Sequence, residues 1–142
     1  PDVDLFRRNY LWHVRGPLDV DAMHRAGQAL RGQHDFRSYH SHDPQRQGSV
    51  RTVLDLIVRR APEVGPHMIY IEAEADGFLY HMVRALVGTL VEVGRGAQAE
   101  SWPAEVLTAR DRSAAGPTAP PQGLFLLWID FADRDALQSP RI

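Results

Sequence analysis

The sequence predicts an α+β domain, and three observations support this class. The chain has 142 residues, which suits one domain with a substantial hydrophobic core. Apolar residues form 44% and charged residues 24% of the sequence, the mixture of an ordinary globular protein. Segments with alternating apolar residues are interspersed with segments whose apolar residues recur every three or four positions, which indicates both strands and helices. We therefore expect a single domain over residues 1–142.

The first part of the chain predicts a strand, a helix and a long loop. Leu5–Val14 is rich in aromatic and branched residues, which favour a strand. Pro17-Leu18-Asp19 predicts the start of a helix with Asp19 as its N-cap, and Gly32 predicts its end. One face of this helix carries the apolar residues Met23, Ala26 and Leu30. The polar, breaker-rich segment Gln33–Gly48 is expected to form a loop.

The remainder predicts two strands, two helices and a closing strand. Their expected bounds are Arg51–Arg60 and His67–Ala75 for the strands, Asp76–Gly94 and Pro103–Ala109 for the helices, and Gly123–Phe131 for the last strand. Asp76 is the expected cap of the first of these helices. A turn is expected over Pro62–Pro66, and little structure after Ala132. The resulting order, β-α-β-β-α-β, is the ferredoxin-like arrangement, an antiparallel sheet with both helices packed on one face. Many unrelated functions share that arrangement, so the fold alone does not indicate a function.

Composition excludes several classes of site. Cysteine is absent, which excludes disulfides, thiolate nucleophiles and cysteine-ligated zinc and is compatible with the cytoplasm. No apolar run approaches the ~20 residues that span a bilayer, so no membrane association is expected. The net charge is −2, and all 16 basic residues are arginines. Any RNA-binding site must therefore be a local patch of guanidinium groups, which suit phosphate and carboxylate.

The segment Asp76–Gly96 carries the most functional information. On a helix of 3.6 residues per turn, a broad apolar stripe is predicted to face the core and comprises Phe78, Leu79, Met82, Val83, Leu86, Leu90 and Val93. The opposite stripe comprises Tyr80, His81, Arg84, Gly88 and Glu92. A single arginine beside an aromatic ring, an imidazole and a glycine that permits close approach suits a partly buried anion site. A solvent-exposed polar face is the alternative.

Four stretches of the sequence are distinctive when taken together. They are Gly32-Gln33-His34-Asp35-Phe36, Arg51-Thr52-Val53, FLYHMVR over residues 78–84 with its continuation to Gly94, and AGPTAPP over residues 115–121 followed by Gly123-Leu124. This combination resembles the TruA family of tRNA pseudouridine synthases, over nearly the whole chain. The resemblance implies a cytoplasmic, homodimeric isomerase that converts uridines of the tRNA anticodon arm to pseudouridine without metal or organic cofactor.

The resemblance also implies roles for individual residues. Arg84 matches the arginine that pairs with the family's nucleophilic aspartate, and Gly123, Leu124 and Tyr80 match its uracil pocket; a core leucine explains Leu124 equally well. The family's RTD-containing aspartate motif is not in this chain, since Arg51-Thr52 is followed by Val53. We therefore expect the aspartate on an N-terminal half of the enzyme, and no catalysis by this C-terminal half alone.

RNA contacts are implied at six positions, namely His34, Arg37, Arg51, His81, Arg110 and Arg112. Ordinary surface arginines and structural histidines are the alternatives for these side chains. The seven histidines show no zinc-like spacing, because His40 and His42 are an isolated pair in a polar loop, so no metal site is expected. Two other functions stay open. A non-catalytic RNA-binding fragment or decayed enzyme would bind tRNA without turnover, and a protein-interaction domain would have no RNA affinity.

Overall fold

A computed structural model describes residues 5–41 and 48–131, which form a three-stranded antiparallel sheet and three α-helices. The elements in chain order are α1 Val20–Gln28, β1 Gly32–Asp35, β2 Val50–Arg60, β3 Ile69–Ala75, α2 Met82–Gly94 and α3 Trp102–Ala109. Short 3₁₀ turns cover Arg37–Tyr39 and Arg112–Ala114. The predicted α+β class is confirmed.

Strand β2 is the centre of the sheet and pairs with a neighbour on each side. Its first residues pair with β1, from Gly32 opposite Val53 to Asp35 opposite Val50. The rest of β2 pairs with β3 as far as Arg60 opposite Ile69, with an irregularity of register between Val53 and Asp55. In β2 the buried residues are Val53, Leu56 and Val58. Leu56 and Val58 follow the period of two expected of a strand, whereas the step of three from Val53 to Leu56 spans the register irregularity.

One hydrophobic core joins the sheet to the helices. Its fully buried residues include Met23, Ala26 and Leu30 from the α1 region, Leu56 from β2, and Met82, Leu86 and Leu90 from α2. Both predicted core faces are confirmed, although Phe78 and Val83 are only partly buried. Among the described residues no helix has the length and apolarity of a membrane span; the longest, α2, has 13 residues.

Both terminal strand predictions are wrong. Residues 5–10 form turns, residues 11–14 are irregular, and no strand forms over Gly123–Phe131. A strand requires a neighbour for its backbone hydrogen bonds, and within residues 5–41 and 48–131 neither segment has one. The structure also contains β1 where a loop was predicted from Gln33 onwards. The described order is therefore α-β-β-β-α-α, and the tail after Ala132 lies outside the described residues.

The start of α2 also differs from the prediction. The carboxylate of Asp76 does not cap the helix, because its Oδ1 accepts a hydrogen bond from the backbone N–H of Thr52 at 2.9 Å and so ties β2 to the end of β3. The helix begins six residues later, at Met82, after His81 in the left-handed conformation with φ 59°. By contrast, Asp19 caps α1 as predicted, with Oδ1 accepting from the N–H of Ala22 at 2.9 Å.

Candidate active site

The loop Ala115–Pro121, hereafter the proline loop, lies against the outer face of α2. Two glycines permit this contact. A Cβ atom at Gly88 would lie 1.6 Å from the carbonyl oxygen of Pro117, and one at Gly116 would lie 2.8 Å from the Cα of Thr89. The close approach that the sequence indicated at Gly88 therefore involves a backbone segment of the same chain.

Hydrogen bonds fix the proline loop along the helix. The N–H of Gly116 donates to Oγ1 of Thr89 at 3.0 Å, and the hydroxyl of Thr89 donates in turn to the carbonyl of Ala85 at 2.8 Å. Farther along the loop, the N–H of Ala119 donates to the carbonyl of Arg84 at 2.9 Å. Thr89 is fully buried, so its hydroxyl satisfies polar groups that water does not reach.

Arg84 is oriented by the same loop. Its Nε–H donates to the carbonyl oxygen of Ala119 at 2.7 Å, so residues 84 and 119 are joined by two reciprocal hydrogen bonds. Within the part of the chain that the structure describes, the Nη1 and Nη2 groups of Arg84 have no hydrogen-bond or salt-bridge partner. The side chain is partly buried. A planar guanidinium is thus held at one edge while its two terminal groups stay available to an anion.

Tyr80 and His81 lie just before α2 and stack on each other, with ring centroids 3.8 Å apart and planes at 25°. The Nδ1 of His81 lies 3.2 Å from Oγ of Ser41, and the N–H of Ser41 donates to the carbonyl of Tyr80 at 3.1 Å. Tyr80 remains 52% exposed. A half-exposed aromatic ring that stacks on an imidazole therefore lies just before the start of the helix that carries Arg84.

Gly123 and Leu124 directly follow the proline loop. Gly123 has φ 91°, and a Cβ atom there would lie 3.0 Å from the Cα of Leu11, so this turn contacts the segment that precedes α1. The N–H of Leu124 donates to the carbonyl of Pro121 at 3.2 Å, and the Leu124 side chain is 50% exposed. Leu124 is therefore not the buried core leucine that was the alternative.

A second group of predicted residues surrounds the carboxylate of Asp35. A cleft of about 280 Å³ is lined by His34, Asp35, Leu107, Thr108 and Arg110. The guanidinium groups of Arg37 and Arg110 approach Oδ2 of Asp35 to 4.0 and 3.9 Å, and both arginines are largely exposed. His34 donates through Nε2 to the carbonyl of Arg31 at 2.8 Å, since a carbonyl can only accept.

The pKa of Asp35 reflects this environment. Partial burial acts to raise the pKa, but the hydrogen bonds from Ser49 Oγ and from the N–H of Arg37, with the charges of Arg37 and Arg110, together hold it below its usual range. The carboxylate is therefore ionised and attracts two guanidinium groups to the same cleft. Arg37 comes from the turn after β1, and Arg110 comes from the end of α3.

The other predicted RNA-contacting arginines lie elsewhere. Arg51 donates through Nη1 to the carbonyl of Val50 at 2.7 Å and is not part of either group. Arg112 is partly buried, and its Nη1 and Nη2 donate to the carbonyl of Gly116 at 2.9 Å and to Oγ1 of Thr118 at 2.8 Å. Both of its terminal groups are thus bound to the proline loop rather than presented to solvent.

Thr89 and Ala119 also belong to the site, although the sequence patterns did not predict them. The dipeptide Gly88-Thr89 in the middle of a largely apolar helix was the available signal for Thr89, because a hydroxyl beside a glycine suits close contact with another backbone. Ala119 acts through its carbonyl, which no side-chain pattern reveals.

No three His, Asp or Glu side chains lie close enough to hold a metal ion in residues 5–41 and 48–131, and His42 lies outside those ranges.

Comparison with known proteins identifies relatives of this chain. A family model described as tRNA pseudouridine synthase matches residues 26–132. The chain is 50% identical over 125 residues to tRNA pseudouridine synthase A of Acidiphilium cryptum, an alignment that covers 88% of this chain and 48% of the relative. It is 44% identical over 134 residues to the enzyme of that name from Myxococcus xanthus, covering 94% and 49%.

A third relative, tRNA pseudouridine synthase A of Halalkalibacterium halodurans, is 47% identical over 121 residues, which cover 85% of this chain and 44% of the relative. The chain thus spans about half the length of the curated relatives it matches. The resemblance inferred from the four sequence stretches is confirmed, and this chain belongs to the tRNA pseudouridine synthase family.

Proposed function

We propose that this chain is the C-terminal half of an isomerase that converts uridines of the tRNA anticodon arm to pseudouridine. In this proposal Arg84 pairs with a nucleophilic aspartate carried by an N-terminal half of the enzyme. The observation that supports it most strongly is the state of the Arg84 guanidinium, which is anchored at Nε by Ala119 while both Nη groups are without a partner among the described residues.

Anchoring at Nε suits an arginine that must orient a carboxylate. A guanidinium with a fixed plane presents Nη1 and Nη2 as a fork that matches the two oxygens of a carboxylate. Such a cation beside an aspartate lowers the aspartate pKa by ~1–3 units, which keeps the acid ionised and ready to attack. The reciprocal bonds between residues 84 and 119 supply that fixed plane before the aspartate arrives.

Two half-exposed apolar groups, on the segments that flank α2 and the proline loop, suit a uracil pocket. Tyr80 precedes Arg84 by four residues, and Gly123 and Leu124 follow the loop that binds Arg84; Tyr80 and Leu124 are each about half exposed. A uridine within a stacked anticodon arm must leave the stack to react, and its base then needs an apolar wall. We assign that wall to Leu124 and Tyr80, with Gly123 providing the turn.

The cleft beside Asp35 suits the RNA backbone. Arg37 and Arg110 share one carboxylate, so the group keeps one net positive charge in a protein of net charge −2. We assign phosphate contacts to these two arginines and His34, and further RNA contacts to Arg51 and His81. Arg112 instead binds the proline loop. Contacts of this kind position an RNA by shape and charge rather than by sequence.

The N-terminal half of the enzyme is the proposed partner of the segment Leu124–Phe131. Its large apolar side chains are 50–75% exposed, and such a surface marks an interaction site. We infer that this segment packs against the other half, that the whole enzyme is a cytoplasmic homodimer, and that this chain alone is inactive because it lacks the aspartate.

A chimera tests the proposal. This chain would replace the matched segment of the Acidiphilium cryptum enzyme, and pseudouridine formation would be measured on tRNA transcripts. We expect activity in the chimera and a loss of roughly a hundredfold or more in Arg84→Ala, because stranding one member of a buried ion pair costs about 3–5 kcal/mol. Arg84→Lys keeps the charge but lacks the planar guanidinium, so its activity should lie between that of the parent chimera and that of Arg84→Ala.

Arg95→Gln is the matched control, since Arg95 lies at the exposed end of the same helix and pairs only with Glu92 among the described residues. Its turnover should equal that of the parent chimera. Normal turnover in Arg84→Ala would exclude the assigned role. A chimera that binds tRNA in a salt-dependent manner without turnover would instead support the non-catalytic RNA-binding alternative.

A further inference from the structure

Arg112 makes contacts that differ from those of the other arginines near the proline loop. Its Nη1 and Nη2 groups bind two acceptors of the same loop, the carbonyl of Gly116 at 2.9 Å and Oγ1 of Thr118 at 2.8 Å. No carboxylate lies within salt-bridge distance of it in the described ranges. Both terminal groups of this partly buried guanidinium therefore donate to neutral acceptors of the proline loop. Such charge-assisted hydrogen bonds are stronger than hydrogen bonds between neutral groups.

The proline loop needs such external support. Three of its seven residues are prolines, which have no backbone N–H, so the loop cannot form a ladder of its own. Its backbone donors reach α2 at two points, from Gly116 to Thr89 and from Ala119 to Arg84. Between those points, the bond from Arg112 to Thr118 restrains the residue immediately before Ala119.

The carbonyl of Ala119 is the group that orients Arg84. A continuous series of contacts therefore runs from Arg112 through Gly116 and Thr118 to Ala119 and then to the Nε of Arg84. We propose that Arg112 is a positioning residue that sets the orientation of the Arg84 guanidinium through the proline loop. Its bearing on catalysis rests on the proposed function, but the coupling itself is a property of this chain.

The coupling can be measured without any catalytic assay. The side-chain ¹⁵Nε–¹Hε resonance of Arg84, assigned by its loss in Arg84→Lys, reports the bond to Ala119 through its rate of hydrogen exchange with water. In Arg112→Gln we expect this exchange to accelerate by roughly tenfold, the change that corresponds to losing one net hydrogen bond. Arg112→Lys, which lacks the planar fork, should accelerate it less. Arg95→Gln should leave it unchanged.

A second variant separates positioning from general stability. Thr118→Val removes the Nη2 acceptor and leaves Arg112 in place, so Arg84 exchange should again accelerate while the urea midpoint changes little. Unchanged Arg84 exchange in a folded Arg112→Gln protein would overturn the proposal. If Arg112→Gln does not fold, unchanged exchange in Thr118→Val would overturn it, and faster exchange would support it.

The chimera then tests whether the coupling affects the reaction. We expect Arg112→Gln to lower kcat with little change in KM, because tRNA binding uses other groups and the misoriented Arg84 acts at the chemical step. If the chimera is inactive even with Arg84 and Arg112 unchanged, the proposed function is contradicted. The hydrogen-exchange evidence for coupling between Arg112 and Arg84 does not depend on that activity. Accelerated exchange together with an unchanged kcat would overturn the catalytic part of the positioning role.

Discussion

Gly88 has no Cβ atom, and the proline loop packs against α2 in the space that a Cβ atom would fill. The carbonyl of Pro117 occupies that space, 1.6 Å from the Cβ position, and because it belongs to the backbone it cannot rotate away. We expect Gly88→Ala to lower the free energy of unfolding by about 1–3 kcal/mol, as overpacking does, despite the better helix propensity of alanine. Urea unfolding followed by circular dichroism measures this change.

Gly27→Ala is the control for that substitution. Gly27 also lies in a helix, but its Cβ would meet the flexible side chain of Leu56 at 3.3 Å, so a small movement accommodates it. Its free energy of unfolding should stay within about 1 kcal/mol of the parent. Equal effects of the two substitutions would contradict the close approach of the proline loop to α2.

Tyr39 couples the stability of the protein to alkaline pH. Its hydroxyl donates to the carbonyl of Pro103 at 2.7 Å, and burial raises its pKa far above the ordinary value of 10.0. Above about pH 10 the unfolded chain releases this proton while the folded protein retains it, so the free energy of unfolding falls by about 1.4 kcal/mol per pH unit.

Tyr39→Phe tests this linkage. At neutral pH the variant should be about 1–2 kcal/mol less stable, because the buried hydrogen bond from residue 39 to the carbonyl of Pro103 is lost. The difference from the parent should narrow above about pH 10, where only the parent carries the titrating phenol at residue 39. Urea midpoints recorded at intervals from about pH 8 to about pH 11 measure it, and a constant difference over that range would contradict the assignment.

At the scale of elements, α1 depends on its cap and on α2. Asp19 accepts from the N–H of Ala22, and its own N–H donates to the carbonyl of Gly94 at 2.8 Å, so one residue joins the start of α1 to the end of α2. Asp19→Ala removes the side-chain bond and the charge but leaves the backbone bond to Gly94, and it should cost about 0.5–2 kcal/mol of stability.

Asp21→Ala is the matched change, because Asp21 is an exposed acid in the first turn that makes no capping bond. It should cost less than about 1 kcal/mol, the value of a favourable charge near a helix N-terminus. Thermal unfolding of both variants in one buffer measures the difference. A larger loss in Asp21→Ala than in Asp19→Ala would show that charge rather than the hydrogen bond stabilises this end.

Local patterns predicted the elements whose partners lie in the core. The apolar faces of α1 and α2, the alternation in β3 and the partial alternation in β2 were predicted correctly, because burial on one face leaves a periodic signal. Leu5–Val14 and Gly123–Phe131 have strand composition, but strand formation depends on a neighbour that composition cannot specify. Conversely, β1 is polar and short, and its pairing with the start of β2 makes it a strand.

The site was predictable to the extent that it uses side chains. Spacing on a helix placed Arg84 opposite the core face, and Gly88 indicated a close contact. The acceptor of Arg84 is a carbonyl 35 residues later in the chain, and such a contact leaves no trace in residue types. The loop contacts of Arg112 were not predictable for a related reason, since an arginine that binds a loop and one that binds RNA look the same in a sequence.

On the scale of the whole molecule, apolar surface is concentrated in one segment. The segment Leu124–Phe131 contributes seven large apolar side chains that are 50–75% exposed. It follows directly after Gly123, whose turn contacts Leu11. A continuous apolar surface of this kind is rare unless something covers it. The segment has strand composition without a strand neighbour, so added pairing by another sheet would bury both its side chains and its backbone groups.

Backbone hydrogen exchange distinguishes a covered segment from an exposed one. In this chain alone, amides of residues 125–131 should exchange rapidly, since in the described ranges they form no ladder. In the chimera with the Acidiphilium cryptum enzyme we expect exchange slower by about tenfold or more, because paired amides exchange only on local unfolding. The amides of β2 serve as the internal control, as they are paired in both proteins. Equally rapid exchange of the segment in an active chimera would mean that the two halves meet through a different surface.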